Sequence, residues 1–235
     1  MRLSRRAFVR TLGLGGAGVI SGAVVSARGR EDLIGLGRLG SGWAGLDAPA
    51  MPSVIRISSN ENPNGPGPRA LEAIRAAFGD ANRYPFDWAG KISKAIGDNL
   101  GLAEDNILTG CGSGEILRIS TLAFTSPTRA LVTAAPSFEE PERTATAFGH
   151  LVRAVPVTKD LALDLPAMAA QVSGAGLVFF CNPNNPTGTV CGADVVNDFI
   201  RTVNRTSPDT IILMDEAYHE YVPDPSYKTA IPVAL

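Results

Sequence analysis

Histidine, cysteine and any surplus of charge are what this sequence has least of. Its 235 residues include only two histidines, His150 and His219. That is too few for most histidine-built metal sites, and a solvated or helix-end role accounts for both. The three cysteines, Cys111, Cys181 and Cys191, are odd in number and none pairs at metal-ligand spacing. The count and spacing argue against both a disulfide framework and a zinc site. A formal net charge of −2 gives no basis for a nucleic-acid partner or an acidic membrane surface. There is no internal repeat. What remains is an ordinary globular apolar fraction of 45%, enough for a sizeable core. The length suits one large α/β domain and part of a second.

The first 27 residues read as an address. Ser4-Arg5-Arg6-Ala7-Phe8-Val9-Arg10 precedes a Gly/Ala/Val run from Leu12 to Val25, and Val25-Ser26-Ala27 offers small residues for cleavage. A charged region, an apolar region and a cleavage site in that order make a signal peptide. The paired arginines before Phe8 resemble a twin-arginine signal, a receptor-read address. The expectation is export to the periplasm, with no membrane contact after cleavage. The alternative is an uncleaved membrane tether, although the run is short and Gly-rich for a span. Gly13 to Gly18 matches GxGxxG, but no strand precedes it and no acidic residue follows at the right distance, so it is no dinucleotide site. Residues 28–52 read as a linker, 53–80 as an arm and 81–235 as a large domain.

Along the rest of the chain, apolar runs and helical periodicities alternate. Strands are predicted at Val54–Ile57, Asn106–Thr109, Ala130–Thr133, Leu151–Val155, Gly176–Phe180 and Ile211–Met214. Helices are predicted at Arg69–Phe78, Ala89–Leu100, Ser113–Phe124, Ser137–Phe148, Leu165–Gln171 and Gly192–Val203. Such alternation argues for a mostly parallel, doubly wound sheet, in which ligands bind outside the carboxyl ends of the strands.

Four of those strand ends carry chemistry. Gly110-Cys111-Gly112-Ser113-Gly114-Glu115 leads from a predicted strand straight into a helix. Glycines allow close backbone approach, and a helix start attracts phosphate; alone, such a turn serves structure equally well. Pro136-Ser137-Phe138 offers an aromatic ring to a planar ligand, though Phe138 alone could as well be core. CNPNNPTG (Cys181–Gly188) ends one strand with Asn185, and DEAY (Asp215–Tyr218) ends the next. A phosphate cradle, a stacking ring, a carboxylate and two neutral donors on one sheet edge match the needs of pyridoxal 5′-phosphate. A mononucleotide would leave the asparagine and tyrosine unexplained.

NENPNGP (Asn60–Pro66), NRYP (Asn82–Pro85), GSGE (Gly112–Glu115), CNPNNPTG and DEAY occur in this order from about Ser53 to the last residue. In these motifs the chain resembles the class I/II, fold-type I pyridoxal-phosphate aminotransferases, and most of all their histidinol-phosphate branch. The resemblance implies that Asp215 pairs with the pyridinium nitrogen and that Asn185 and Tyr218 bond the phenolic oxygen. It implies that Phe138 stacks on the ring, and that Ser113, Gly114 and Glu115 cap the phosphate, mostly through backbone. Tyr84 would reach the phosphate of a partner subunit, implying a homodimer; read alone, it is a turn-packing aromatic. Asn60 and Asn62 would lie near the substrate, an amino donor reacting with a 2-oxo acid.

Two departures stand out. Asn64 replaces the tyrosine usual in this branch. The family's Schiff-base lysine belongs in a Ser-Lys segment some thirty residues beyond DEAY, and the sequence ends at Leu235; Lys91, Lys94, Lys159 and Lys228 have no such context. The expectation is an N-terminal fragment or truncated reading frame, neither stable nor active by itself. The rivals are a decarboxylase or C–S lyase of the same fold, and a non-catalytic cofactor- or phosphate-binding module.

Overall fold

A computed structural model describes residues 59–235. The predicted signal sequence, the predicted linker and the predicted strand Val54–Ile57 lie outside the described residues. The described residues divide into two units after Phe78.

In the first unit, a turn at 59–67 leads into α1 (Pro68–Ala77). Pro68 starts the helix at a position where the backbone N–H it lacks has no intrahelical acceptor. The predicted apolar face of Leu71, Ile74 and Phe78 is exposed.

In the second unit, α2 (Trp88–Leu100) stops at Gly101, which adopts the left-handed conformation (φ 70°) that ends helices cheaply only in glycine. α3 (Ser113–Phe124) follows, and then the alternation β1 (Ala130–Ala135), α4 (Glu140–Ala147), β2 (Val152–Pro156), α5 (Leu165–Ala169), β3 (Ala175–Cys181), α6 (Ala193–Thr206) and β4 (Ile211–Asp215). A short α7 (Ile231–Ala234) was not expected. All pairings are parallel, in the order β2-β1-β3-β4. The expected parallel α/β architecture is present.

Every residue of β3 is buried, as a strand covered on both faces must be. Successive side chains point to opposite faces. Val178 and Phe180 join a core with Met168 of α5 and Val196, Phe199 and Val203 of α6. Leu177, Phe179 and Cys181 join another with Leu117 of α3 and Ala145 of α4. Phe180 meets Phe199 edge to face at 5.4 Å between ring centroids, a favoured arrangement for aromatic quadrupoles.

The orientation of α3 follows from its contacts. At the start of β3, Gly176 lies so close to the Phe124 carbonyl at the end of α3 that a Cβ would overlap it. Near the start of α3, Leu117 packs in the cluster that contains Cys181, the last residue of β3. α3 therefore runs antiparallel to β3 and brings its N-terminus to the carboxyl end of the sheet.

Two predicted elements need correction. Asn106–Thr109 is not a strand. Glu104–Asn106 forms a 3₁₀ turn, and Ile107 is extended (φ −122°, ψ 119°). No described strand lies beside it, and extended backbone becomes a strand only when a neighbour completes the ladder. The helix predicted from Ser137 begins at Glu140, with a proline in its first turn. Ser137 stays out of the helix because its hydroxyl donates to Asn184 Oδ1 at 2.8 Å.

A candidate site at the carboxyl end of the sheet

β3 and β4 are neighbours, and Cys181 is the register partner of Asp215. CNPNNPTG and DEAY therefore start from the same level of adjacent strands. The backbone N–H of Asn182 donates to the Asp215 carbonyl at 2.9 Å, extending the ladder one step.

The turn after β3 is built by two asparagines that the sequence reading left without roles. The side chain of Asn182, fully buried, spans the turn: Nδ2 donates to the Cys191 carbonyl (3.0 Å) and Oδ1 accepts from the Cys191 N–H (2.9 Å). Asn184 joins this turn to the loop after β1. It accepts from Ser137 Oγ (2.8 Å) and donates to the Pro136 carbonyl (3.1 Å) and Thr187 Oγ1 (2.9 Å). With its neighbours so held, Asn185 is half-buried and its side-chain amide has no partner among the described residues. Asn185 and Pro186 line one cavity of ≈ 230 Å³ with Ser137 and Phe138. Two predicted ring contacts, Phe138 and Asn185, are thus brought together.

Asp215 is half-buried, and its Oδ1 accepts the Ala217 N–H at 2.9 Å. Burial pushes its carboxyl above the ordinary 3.8; the Ala217 N–H pulls it back, and neighbouring Glu216 adds to the rise. No cation pairs with it among the described residues. Alternation along β4 puts Asp215 on the face of Leu213, which packs with the cluster containing Leu117 of α3. The Cys181 thiol, on that same face, is pushed up to about 11 by burial and then by Asp215. A partly desolvated carboxylate with no cation beside it favours a cationic ligand.

At the head of α3, Gly112 has φ +81°, a conformation that L side chains rarely adopt, and open space surrounds both Gly112 and Gly114. The N–H groups of Ser113 and Gly114 have no acceptor among the described residues. Glu115 does more than the backbone role expected of it: its Oε2 accepts the Cys111 N–H at 2.6 Å, fixing the loop from inside. An anion-accepting helix start with two open glycines fits a phosphate.

The other predicted residues are placed as follows. Tyr218 is half-buried and precedes the 3₁₀ turn His219–Tyr221. Tyr84 is 82% exposed, its ring tilted at 39° to that of Phe86 with centroids 5.4 Å apart. Asn62 uses its side chain within its own turn, accepting from the Asn64 N–H and donating to the Gly65 carbonyl, both at 3.0 Å. Asn60 is exposed in that same turn. Lys228 is exposed in the loop before α7, as expected, while Lys94 pairs with Asp98 and Lys91 lies over Trp88 on α2.

Glu216 and Tyr227 are the main residues that the sequence reading missed. The Glu216 carboxylate accepts from Tyr227 Oη (3.0 Å), Thr229 Oγ1 (2.6 Å) and the Ala230 N–H (2.9 Å). Only the DEAY motif hinted at the first, and nothing in sequence pattern marked the second.

The sequence model of aminotransferase class I and II matches residues 52–234. The histidinol-phosphate aminotransferase of Moorella thermoacetica is 36% identical over 179 residues, 76% of this chain and 45% of that protein. That of Limosilactobacillus fermentum is 37% identical over 184 residues, 77% of this chain and 50% of that protein. Among solved structures, the histidinol-phosphate aminotransferase of Sinorhizobium meliloti in complex with pyridoxal-5′-phosphate superposes with a TM-score of 0.67 at 29% identity, covering 72% of this chain and 45% of that one. The chain spans about half the length of the curated relatives it matches. With a parallel sheet, motifs at its carboxyl end and a family match over most of its length, the chain belongs to the aminotransferase class I and II family.

Proposed function

We propose that this chain supplies the cofactor-binding portion of a pyridoxal 5′-phosphate-dependent transaminase. The reaction moves an amino group between an amino acid, or an amino-alcohol phosphate such as histidinol phosphate, and a 2-oxo acid. The observation that carries the reading is a pair of groups on the turns that leave adjacent strands: among the described residues, the Asp215 carboxylate accepts one backbone N–H but meets no cation, and the Asn185 amide meets no hydrogen-bond partner.

Bound there, the cofactor supplies an electron sink for the bonds of the amino-bearing carbon. The rest falls to the protein. Asp215 holds a proton on the ring nitrogen, and the ring's positive charge offsets the cost of keeping that carboxylate out of water. Asn185 and Tyr218 donate to the phenolic oxygen. Phe138 covers one ring face and excludes water. Ser113 and Gly114 hold the phosphate through backbone N–H groups, and Glu115 keeps the loop in shape. Tyr84, exposed in a single chain, reaches a second subunit of a homodimer. None of the four lysines of this sequence is assigned the covalent bond to the cofactor. Export by the twin-arginine route through Arg5 and Arg6 is part of the reading. Curated relatives at 32–38% identity that are histidinol-phosphate aminotransferases support amino transfer over decarboxylation or C–S cleavage.

The test is a titration of the chain with pyridoxamine 5′-phosphate and, separately, with pyridoxamine, followed by the ligand's own fluorescence. Saturable binding of the first and at least about tenfold weaker binding of the second is expected, since a charge-assisted phosphate contact is worth about 1.5–3 kcal/mol. Equal affinity for both would remove the phosphate cradle and with it the reading.

A further inference from the structure

We infer that Glu216 and Tyr227 form a clasp that positions Asp215 against the turn after β3, making both positioning residues for the ring nitrogen of the cofactor; the inference rests on the cofactor reading above.

The clasp is a closed circuit of contacts. From the end of β4, Asp215 accepts the Asn182 N–H through its carbonyl at 2.9 Å. The Asn182 carbonyl lies 3.4 Å from Tyr227 Oη. Tyr227 Oη donates to Glu216 Oε1 at 3.0 Å, and Glu216 is bonded in the chain to Asp215. Two further donors hold Glu216: the Ala230 N–H shares Oε1 with Tyr227, and Thr229 Oγ1 bonds Oε2. The loop between the His219–Tyr221 turn and α7 is thus folded back under the carboxyl ends of β3 and β4.

The faces matter as much as the bonds. Ile212 and Met214 pack with the cluster that contains Phe180, and Leu213 packs with the one that contains Leu117, so period-two alternation puts Glu216 on the side of β4 away from Asp215. Held by three donors on its own side, Glu216 fixes the backbone at the strand end and leaves the Asp215 carboxylate directed away from the clasp. Tyr227 is buried at 8% exposure. Burial, and then Glu216, push its hydroxyl above the ordinary tyrosine range, so it remains a donor at all physiological pH values. Asn182 sits in the same circuit three residues before Asn185. One clasp therefore sets the spacing between the two groups that would meet the ring nitrogen and the phenolic oxygen.

The experiment uses the full chain and pyridoxamine 5′-phosphate labelled with ¹⁵N in the ring, reading the ring-nitrogen chemical shift and the affinity. The variants are Tyr227→Phe, Glu216→Gln and Asp215→Asn, with Phe199→Leu as a core variant that loses stability without touching the clasp. Asp215→Asn moves the resonance to its unprotonated position if the cofactor reading holds. Tyr227→Phe and Glu216→Gln then move it part of the way and weaken binding, while Phe199→Leu leaves it in place. A shifted resonance in Asp215→Asn with wild-type values in Tyr227→Phe would overturn the clasp and leave the cofactor reading standing. An unmoved resonance in Asp215→Asn would overturn the cofactor reading itself. Should Glu216→Gln fail to fold, Tyr227→Phe alone decides, since it removes one oxygen and keeps the ring in its buried place.

Discussion

Replacing Asn184 by alanine is expected to unfasten the two loops that meet at the site. The side chain makes three hydrogen bonds: from Ser137 Oγ at 2.8 Å, to the Pro136 carbonyl at 3.1 Å and to Thr187 Oγ1 at 2.9 Å. Each is worth about 1 kcal/mol net, and an orphaned buried hydroxyl costs about 1–3 kcal/mol. Ser137 is buried and loses its acceptor, whereas Pro136 is exposed and can turn to water. The expected loss is therefore about 2–4 kcal/mol, against a typical domain stability of about 5–15 kcal/mol. With a urea dependence of about 2 kcal/mol per molar, the unfolding midpoint should fall by about 1–2 M. Asn184→Asp separates the contributions. Its carboxylate still accepts from Ser137 Oγ, keeps Thr187 only if that hydroxyl turns round to donate, and faces the Pro136 carbonyl without a donor, so its midpoint should fall between those of wild type and alanine. Circular dichroism in urea reads all three proteins. A shift below about 0.3 M for Asn184→Ala would show that the loops hold their places without this side chain.

Other expectations follow from single features. Gly176→Ala sets a methyl group against the Phe124 carbonyl, 2.9 Å from its carbon; because that atom is backbone, the loss should exceed the usual overpacking range of about 1–3 kcal/mol and be visible as a collapse of soluble yield or thermal midpoint. Maleimide should label exposed Cys111 readily and leave Cys181 untouched in the native chain, since burial holds Cys181 near 11 as an unreactive thiol; mass spectrometry that finds Cys181 modified first would contradict the placement of β3. Asp215→Asn without cofactor should raise the thermal midpoint at neutral pH. The folded-state carboxyl is raised above 3.8, so wild type gains stability as pH falls through that raised value, and the advantage of the variant should be gone below the unfolded value. Equal midpoints at every pH would mean that Asp215 is not desolvated.

Much of the fold was legible because its central strands, β1 and β3, are buried on both faces and read as unbroken apolar runs, as in GLVFF at 176–180. The register that places Asp215 beside Cys181 was legible only as strand adjacency, inferred from the parallel alternation. Asn106–Thr109 carried the same kind of signal and failed, because strand character depends on a neighbour that a local pattern cannot supply. At the site, Asn185, Asp215 and Phe138 stood out through turn chemistry and motif. Asn182 and Asn184 looked like interchangeable turn residues, though Asn182 closes the turn after β3 on itself and Asn184 ties that turn to the loop after β1. Tyr227 was invisible: its partner Glu216 lies 11 residues away, with no periodicity to join them.

The central claim is that Asp215 faces the ring nitrogen of a pyridine cofactor. The most direct measurement is the dissociation constant of pyridoxamine 5′-phosphate for the full chain and for Asp215→Asn, taken at neutral pH and constant salt. An interaction between a protonated ring nitrogen and a partly buried carboxylate predicts a loss of tenfold or more, about 1.4 kcal/mol at least. Below the raised carboxyl range of Asp215 the two proteins should converge, as wild type loses its charge. Equal dissociation constants at neutral pH would place the ring elsewhere and contradict the account.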